Sequence, residues 1–256
     1  MSADAGRLDE APVPGAVGRL ELLEWRERYG VVAGITTRAD GFDLGLHSGE
    51  PAAAVFDRWH AVFADLGPAF QAYAVGRQVH GTRIAHHDGA LTGWLVQDGV
   101  DGHFTAAPGT LLLVTVADCV PVYLLHPASR AVTLLHAGWR GTASGMLEAG
   151  ARALASACGA ATEELIIHCG ISICGTCYEV GSEVHEAVRG CATKGPQPID
   201  LRAELAMRAA RLGIATVTRS GWCTAHHADR FFSHRRSHGV DGRMAAYLGV
   251  PMLDPR

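Results

Sequence analysis

A thiol and an imidazole stand at the ends of two apolar runs in the middle of the chain. The stretch from Leu111 to Gly141 reads LLLVTVADCVPVYLLHPASRAVTLLHAGWRG. Its first run, Leu111–Ala117, delivers Asp118 and Cys119. Its second, Ala131–Leu135, delivers His136. Both residue types bind soft metals, and both serve nucleophilic catalysis. As a nucleophile, Cys119 would be ionised by His136, with Asp118 or another carboxylate orienting the ring. As a metal site, Cys119 and His136 need one more ligand, and His80 is the best placed by context. A Cys-His-His set leaves the fourth tetrahedral position for water, the pattern of a catalytic zinc. As neither, Cys119 is an inert buried thiol and His136 a hydrogen-bonded strand-end residue. The spacing matches no compact finger motif. Spacing alone therefore ranks the inert reading first, the metal second and the nucleophile third.

The loop Ala137-Gly138-Trp139-Arg140-Gly141 adds to this. A strand, a glycine-flanked turn and a helix start form an anion site, because backbone N–H groups and an arginine fork face the same oxyanion. Such a site beside His136 tips the balance towards function.

The elements that must position these residues follow from periodicity. Val31–Thr36 reads as a strand. From Pro51 the residues Val55, Phe56, Trp59, Val62, Phe63 and Leu66 fall on one helical face that Gly67 ends. Arg58 lies off that stripe, so its spacing makes it part of a solvated face. Ala72–Val75 and Val79–Ala85 read as strands around Gly76, with His80 between them, followed by Gly81, and His86 and His87 at a polar strand end. A turn spans Asp98–Gly102. The two central runs flank a turn-rich segment carrying Pro121 and Pro127. Beyond Gly141, Thr142 or Ser144 caps a helix to about Cys158. Leu165–His168 is a strand, Ser182–Val188 a helix, and residues 192–198 an exposed loop. A helix near Arg202–Leu212, a strand Ile214–Thr218 and a return to the core at Met244–Leu248 complete the chain. The fold class expected is a mixed α/β (α+β) domain, β-sheets flanked by helices. Residues 1–17, rich in Ala, Pro and Gly, read as a mobile arm, with one catalytic domain over 18–256.

Composition excludes several classes. The chain has 256 residues, 48% apolar and 19% charged, with a net charge of −4. That is ordinary for a globular enzyme and gives no general affinity for nucleic acid. No run approaches the roughly 18 apolar residues of a membrane helix, and the acidic N-terminus has no signal-peptide pattern. Seven cysteines without a framework spacing point to free thiols and a cytoplasmic setting. The sequence leaves the oligomeric state open, a monomer included.

Other candidates are weaker. Cys174 and Cys177 form a C-x-x-C without a matching second pair or a thioredoxin-like context, so they read as ordinary loop thiols. His226, His227, His234 and His238 show no compelling spacing. Arg235, Arg236 and Arg243 could line a phosphate pocket, but a solvated surface is the simpler reading.

Three blocks carry a resemblance: Gln78-Val79-His80-Gly81, Ala117-Asp118-Cys119-Val120-Pro121-Val122 and His136-Ala137-Gly138-Trp139-Arg140-Gly141. They are similar to the signature blocks of the YfiH-like family, long labelled laccase-domain or polyphenol oxidase and now regarded as purine nucleoside phosphorylase. Thr36-Thr37-Arg38, Leu44-Gly45-Leu46-His47, Tyr178-Glu179-Val180-Gly181 and Gly242-Arg243-Met244 extend the likeness over about residues 31–248. The resemblance implies zinc held by His80, Cys119 and His136. It implies phosphorolysis of adenosine, inosine and S-methyl-5′-thioadenosine, with adenosine deamination alongside. Copper-dependent phenol oxidation and peptidoglycan-precursor editing are alternatives within the family, and a metal-free Cys-His hydrolase or a binding protein are alternatives outside it. The partners expected are a purine nucleoside and phosphate. Arg140 and Arg58 are the candidates to hold phosphate, with Arg38 and Arg243 as further anion contacts. Asp118 is the candidate general acid, or else the carboxylate orienting His80 or His136. The chain departs from the family pattern at Asp43, Asp57, Ile171 and His234, where the family usually has Asn, Asn, Pro and Tyr.

Overall fold

Long apolar runs in this chain form strands buried on both faces, and their alternation decides what each face meets. The computed structural model describes residues 5–45 and 49–252. In chain order the elements begin with β1 (Gly6–Arg7), β2 (Ala11–Val13), β3 (Arg19–Glu21), α1 (Leu23–Tyr29), β4 (Val32–Thr36) and α2 (Ala52–Leu66). Then come β5 (Ala72–Arg77), β6 (Ile84–His87), β7 (Gly93–Asp98), β8 (Gly102–Thr105), β9 (Thr110–Val116), β10 (Val120–His126) and β11 (Ala131–Ala137). The remainder are α3 (Trp139–Ala143), α4 (Met146–Cys158), β12 (Ile166–Cys169), β13 (Glu179–Val180), α5 (Ser182–Arg189), β14 (Gln197–Pro198), α6 (Leu201–Arg211), β15 (Thr216–Arg219) and β16 (Met244–Gly249).

Two seven-stranded mixed sheets result. One has the order β1-β15-β12-β10-β11-β8-β6, the other β2-β3-β4-β16-β9-β5-β7. They share a buried layer in which Leu112, Val114 and Val116 of β9 meet Tyr123 and Leu125 of β10 and Val132 and Leu134 of β11. The opposite faces carry helices. Val122, Leu124 and Leu135 pack with Leu147, Leu154 and Leu205, while Leu111, Leu113 and Tyr247 pack with Val55, Trp59 and Val62 of α2. The expected mixed α/β class is observed, with helices outside and two sheets inside.

Several local expectations change. Val120–His126 is a fully buried strand, not a turn-rich segment. Pro121 is accommodated at its second position, near the strand start where a missing N–H does least damage. The two central runs therefore lie in different sheets, and the chain crosses between them at Ala117–Cys119. Residues 78–83 form a loop rather than the start of a strand, because Asp101 captures their backbone N–H groups. His87 is not a polar strand end but is buried, 3.0 Å from His103 Nδ1. The helix expected from Thr142 is broken at Gly145, whose φ of +84° suits glycine. Residues 6–13 are not a free arm. Arg7 pairs with Arg219, Pro12 with Leu20, and Glu10 is buried against His168 and Ser220. A buried carboxylate with these partners anchors a segment whose composition suggests none. Residues 1–4 of the expected arm, and Leu46–His47 of the Leu44–His47 block, lie outside the described residues.

Candidate metal centre at the meeting of two sheets

Strand directions bring the candidate residues to one edge. β5 runs parallel to β9, and both β9 and β4 run antiparallel to β16. The carboxyl ends of β4, β5 and β9 therefore open on the same side, which carries Arg38, His80 and Asp118–Cys119. Arg243, one residue before β16, joins them there. Gln78 ties the edge together, donating to the Thr115 carbonyl at 2.8 Å and accepting from the Thr115 N–H at 2.7 Å. From the other sheet, Val120 pairs with Ala137 and Pro121 with His136, so His136 sits one residue from the end of β11, beside the crossing chain.

His80, Cys119 and His136 converge: their ligand atoms all lie within 4.8 Å of one another. The two imidazole centroids are 4.9 Å apart at 71°. His136 is buried, Cys119 half-buried and His80 exposed, so the group opens to solvent on one side. Two of the chain's non-glycine residues with positive φ are here, His80 at 61° and Asp118 at 82°. Backbone held in that region costs about 1–3 kcal/mol and persists where surroundings enforce it. Asp101 enforces it at His80. Its Oδ2 accepts from Val79 N–H at 3.0 Å and Gly81 N–H at 2.9 Å, and its Oδ1 from His80 N–H at 2.9 Å. The same Oδ1 lies 2.9 Å from His136 Nδ1.

Asp101 is thus the carboxylate that orients the histidines, the role sequence analysis offered to Asp118. Burial pushes the Asp101 carboxyl up, but His136 and the backbone N–H groups outweigh it and hold it below the ordinary value. Asp118 is turned the other way. Its Oδ1 accepts from Thr224 Oγ1–H at 2.5 Å and its Oδ2 from Arg235 N–H at 2.6 Å. With both oxygens engaged it clamps loops, and neither histidine is among its partners. In sequence Asp101 looks like any turn aspartate, and nothing local marks it.

The electrostatics favour a thiolate. Burial alone raises the Cys119 thiol, but the His136 charge and hydrogen bonds from His136 and His80 bring it down to about 6. His136 moves the opposite way, up to about 9: burial lowers it, but Cys119 and Asp101 outweigh that. Both shifts favour a thiolate facing an imidazolium, with His136 Nδ1 turned to Asp101. The same arrangement serves a soft cation, whose binding would release the imidazolium proton, or a thiolate nucleophile.

Around this centre stand groups whose place here local sequence does not show. Tyr178 is raised to about 12, by burial first and then by the neighbouring Cys119 charge, with Arg235 and Arg140 opposing. The Arg235 guanidinium lies 4.9 Å from the Tyr178 ring centroid and that of Arg140 lies 4.4 Å from the Trp139 ring. Arg140 is exposed in the five-residue helix α3. Tyr178 and Arg235 belong to this neighbourhood, although Arg235 reads as surface in the sequence. The other three arginines are engaged with protein groups. Arg58 donates to the Asp43 carbonyl at 2.8 Å and pairs with Glu50. Arg243 donates to the carbonyls of Asp241 and Gly242, and its N–H to Asp43 Oδ1 at 2.7 Å. Arg38 bonds the Ala228 carbonyl at 3.0 Å and covers Phe232. They form a wall centred on Asp43 and Asp241.

Fold and centre together define a two-sheet α/β protein with a Cys-His-His group at a sheet edge. Residues 26–251 match the family model described as multi-copper polyphenol oxidoreductase laccase. The chain belongs to this family, the YfiH-like proteins. It is 31% identical to purine nucleoside phosphorylase YlmD of Geobacillus stearothermophilus, over 86% of this chain and 90% of that one. It is 32% identical to adenosine deaminase RL5 from an unknown prokaryotic organism, over 85% of this chain and 93% of that one. The crystal structure of YlmD from Geobacillus stearothermophilus superposes with a TM-score of 0.85 at 28% identity, covering 94% of this chain and 98% of that one.

Proposed function

We propose that this protein is a zinc-dependent purine nucleoside phosphorylase acting on adenosine, inosine and S-methyl-5′-thioadenosine, with adenosine deaminase activity at the same site. The observation that carries the reading is the convergence of His80, Cys119 and His136 on one solvent-open point. The names of its relatives, a purine nucleoside phosphorylase and an adenosine deaminase among them, give that point its chemistry.

The residues fit a zinc ion. One thiolate and two imidazoles are zinc donors, and three protein ligands leave the fourth position to substrate or water. The backbone leaves room beside them. A Cβ added at Gly138 would stand 2.9 Å from Cys119 Sγ and 3.1 Å from His80 Cδ2. A zinc ion bound there would supply Lewis-acid polarisation of an oxygen. The chain's own groups do the rest. Asp101 fixes the His136 ring by taking its Nδ1–H, which leaves Nε2 to face the centre. Arg140 is the first anion contact for phosphate, with Arg58, Arg38 and Arg243 as the further cationic wall. Phosphate oxygen bonds to ribose C1′ as the bond from C1′ to the purine nitrogen breaks. The electron pair leaves with the base, which takes up a proton. Tyr178 keeps its own proton at neutral pH and is a better donor candidate than Asp118, whose oxygens are both committed. In deamination, water adds at C6 of adenine and ammonia leaves.

Copper-dependent phenol oxidation is favoured only by the description of the family model. A trinuclear copper cluster needs more clustered histidines than this centre supplies. Incubating the purified protein with inosine and inorganic phosphate, and assaying ribose 1-phosphate before and after chelation, tests the proposal. Phosphorolysis lost on chelation and restored by zinc supports it. Full activity after complete metal removal would favour a Cys119 thiolate nucleophile instead.

A further inference from the structure

Read along the chain, Cys174 and Cys177 are ordinary loop thiols; folded, they have company. The second half of the motif lies 46 residues beyond Cys177, at Cys223-Thr-Ala-His226. The ligand atoms of Cys174, Cys177, Cys223 and His226 all lie within 4.8 Å of one another. Cys177 Sγ is 3.1 Å from His226 Nε2, and Cys174 Sγ is 3.8 Å from His226 Nδ1. A tetrahedron with arms of about 2.3 Å to sulfur has edges of about 3.8 Å, so the cluster has the size such a cation needs.

The topology explains the meeting. β12 and β15 are parallel neighbours, with Cys169 in register with Arg219. The loops that follow them leave the sheet at the same edge. An isolated bridge between Ser172 and Cys223 prolongs the pairing, and Thr224 N–H donates to the Ser172 carbonyl at 3.2 Å. Cys174 N–H then donates to Cys223 Sγ at 3.3 Å. Backbone donation of this kind favours negative charge on a ligating sulfur. Each loop thus contributes two ligands three positions apart, C-x-x-C from one and C-x-x-H from the other.

We propose that Cys174, Cys177, Cys223 and His226 bind a second, structural zinc ion, sharing no ligand with the Cys119 centre. Three thiolates and one imidazole close the tetrahedron, which leaves no position for substrate. The ion ties together two loops that flank the first centre. Tyr178 follows Cys177 directly, and Thr224, which donates to Asp118, follows Cys223. Its role is to hold that wall in place.

The test counts zinc in protein purified without added metal or a histidine tag. Wild type should carry about two zinc ions per chain, and Cys119→Ser and Cys177→Ser about one each. Combining the two should leave none. X-ray absorption on the zinc of wild type should average about two sulfurs per ion, against about one if only the first centre binds. That measurement needs no variant, so a misfolded Cys177→Ser leaves the proposal testable. Cys119→Ser protein without zinc, or wild type joined by a Cys174–Cys177 disulfide when prepared without reductant, overturns it. Neither readout depends on nucleoside turnover, so failure here is distinct from failure of the phosphorylase reading.

Discussion

Replacing Asp101 by Asn probes the group on which the geometry of the candidate metal centre turns. The carboxylate accepts four hydrogen bonds, three from the consecutive N–H groups of residues 79–81 and one from His136. An amide in its place has one oxygen and one NH2, and both orientations fail. With NH2 on the Oδ2 side, it confronts the N–H groups of Val79 and Gly81. With NH2 on the Oδ1 side, it confronts His80 N–H and drives His136 to accept at Nδ1, which puts the ring proton on Nε2 where a ligand lone pair is needed. An orphaned donor in this part-buried loop costs up to about 1–3 kcal/mol. For a chain of this size that corresponds to a fall in Tm of roughly 2–12 °C for one donor. Loss of such a supporting carboxylate weakens zinc binding about 10–100-fold. The assay is competition for zinc against a chromophoric chelator at fixed pH, with thermal unfolding of the chelated protein alongside. Asp118→Asn is the control, since that carboxylate serves Thr224 and Arg235 rather than the histidines. Zinc affinity unchanged in folded Asp101→Asn, or reduced as much by Asp118→Asn, would refute the assignment of Asp101 as the orienting group.

Other perturbations separate chemistry from scaffold. Gly138→Ala should lower zinc affinity by about tenfold or more, because its Cβ would press on Cys119 Sγ and His80 Cδ2; equal zinc affinity in the two proteins would show that the backbone there leaves ample room. Arg140→Ala should lower kcat/KM for phosphorolysis by about 10–100-fold, the loss expected for one charge-assisted contact, and unchanged steady-state kinetics would remove it from the phosphate site. His103 is fully buried and held neutral, its pKa lowered to about 3 by burial first and then by His87. Above pH 6.5 both folded and unfolded forms are neutral there; as pH falls from 6.5 towards 3 only the unfolded chain takes the proton, so stability declines by about 1.4 kcal/mol per pH unit from this site. Denaturant unfolding of wild type and His103→Gln between pH 7 and 4 should show the shallower acid slope in the variant, and parallel slopes would contradict the assignment. Gly76→Ala should destabilise by about 1–3 kcal/mol or more in denaturant titrations, since its Cβ would come 2.1 Å from the Val100 carbonyl oxygen; an unshifted midpoint would mean that the loop moves aside freely.

Much of the scaffold was legible in local pattern. The α2 stripe from Val55 to Leu66, the runs that became β9 and β11, and the glycine stops after α2 and α5 are short-range signals, set by side-chain periodicity and backbone freedom. The anchoring of residues 6–13, which read as part of a mobile arm over 1–17, was not legible. What orders them is Glu10 meeting His168 and Ser220, partners 158 and 210 residues away. Val120–His126 was obscured by Pro121, whose local turn signal is overruled by pairing on both sides of the strand, whereas Pro127 does open the turn that follows it.

The sequence by itself determined the donor chemistry: a thiol, two imidazoles and a glycine-flanked arginine loop, whose residue types already restrict the centre to soft-metal or thiolate work. Only the tertiary structure decided which of those residues meet, because the mixed sheet, with β4 and β9 antiparallel to β16 and β5 parallel to β9, carries the ends of β4, β5 and β9 to one edge regardless of their distance along the chain. It alone gave the orienting role to Asp101 rather than Asp118, and it alone joined Cys174 and Cys177 to Cys223 and His226. The physical reason is that side-chain type is a local property, whereas coordination and hydrogen bonding require positions in space that only long-range pairing supplies.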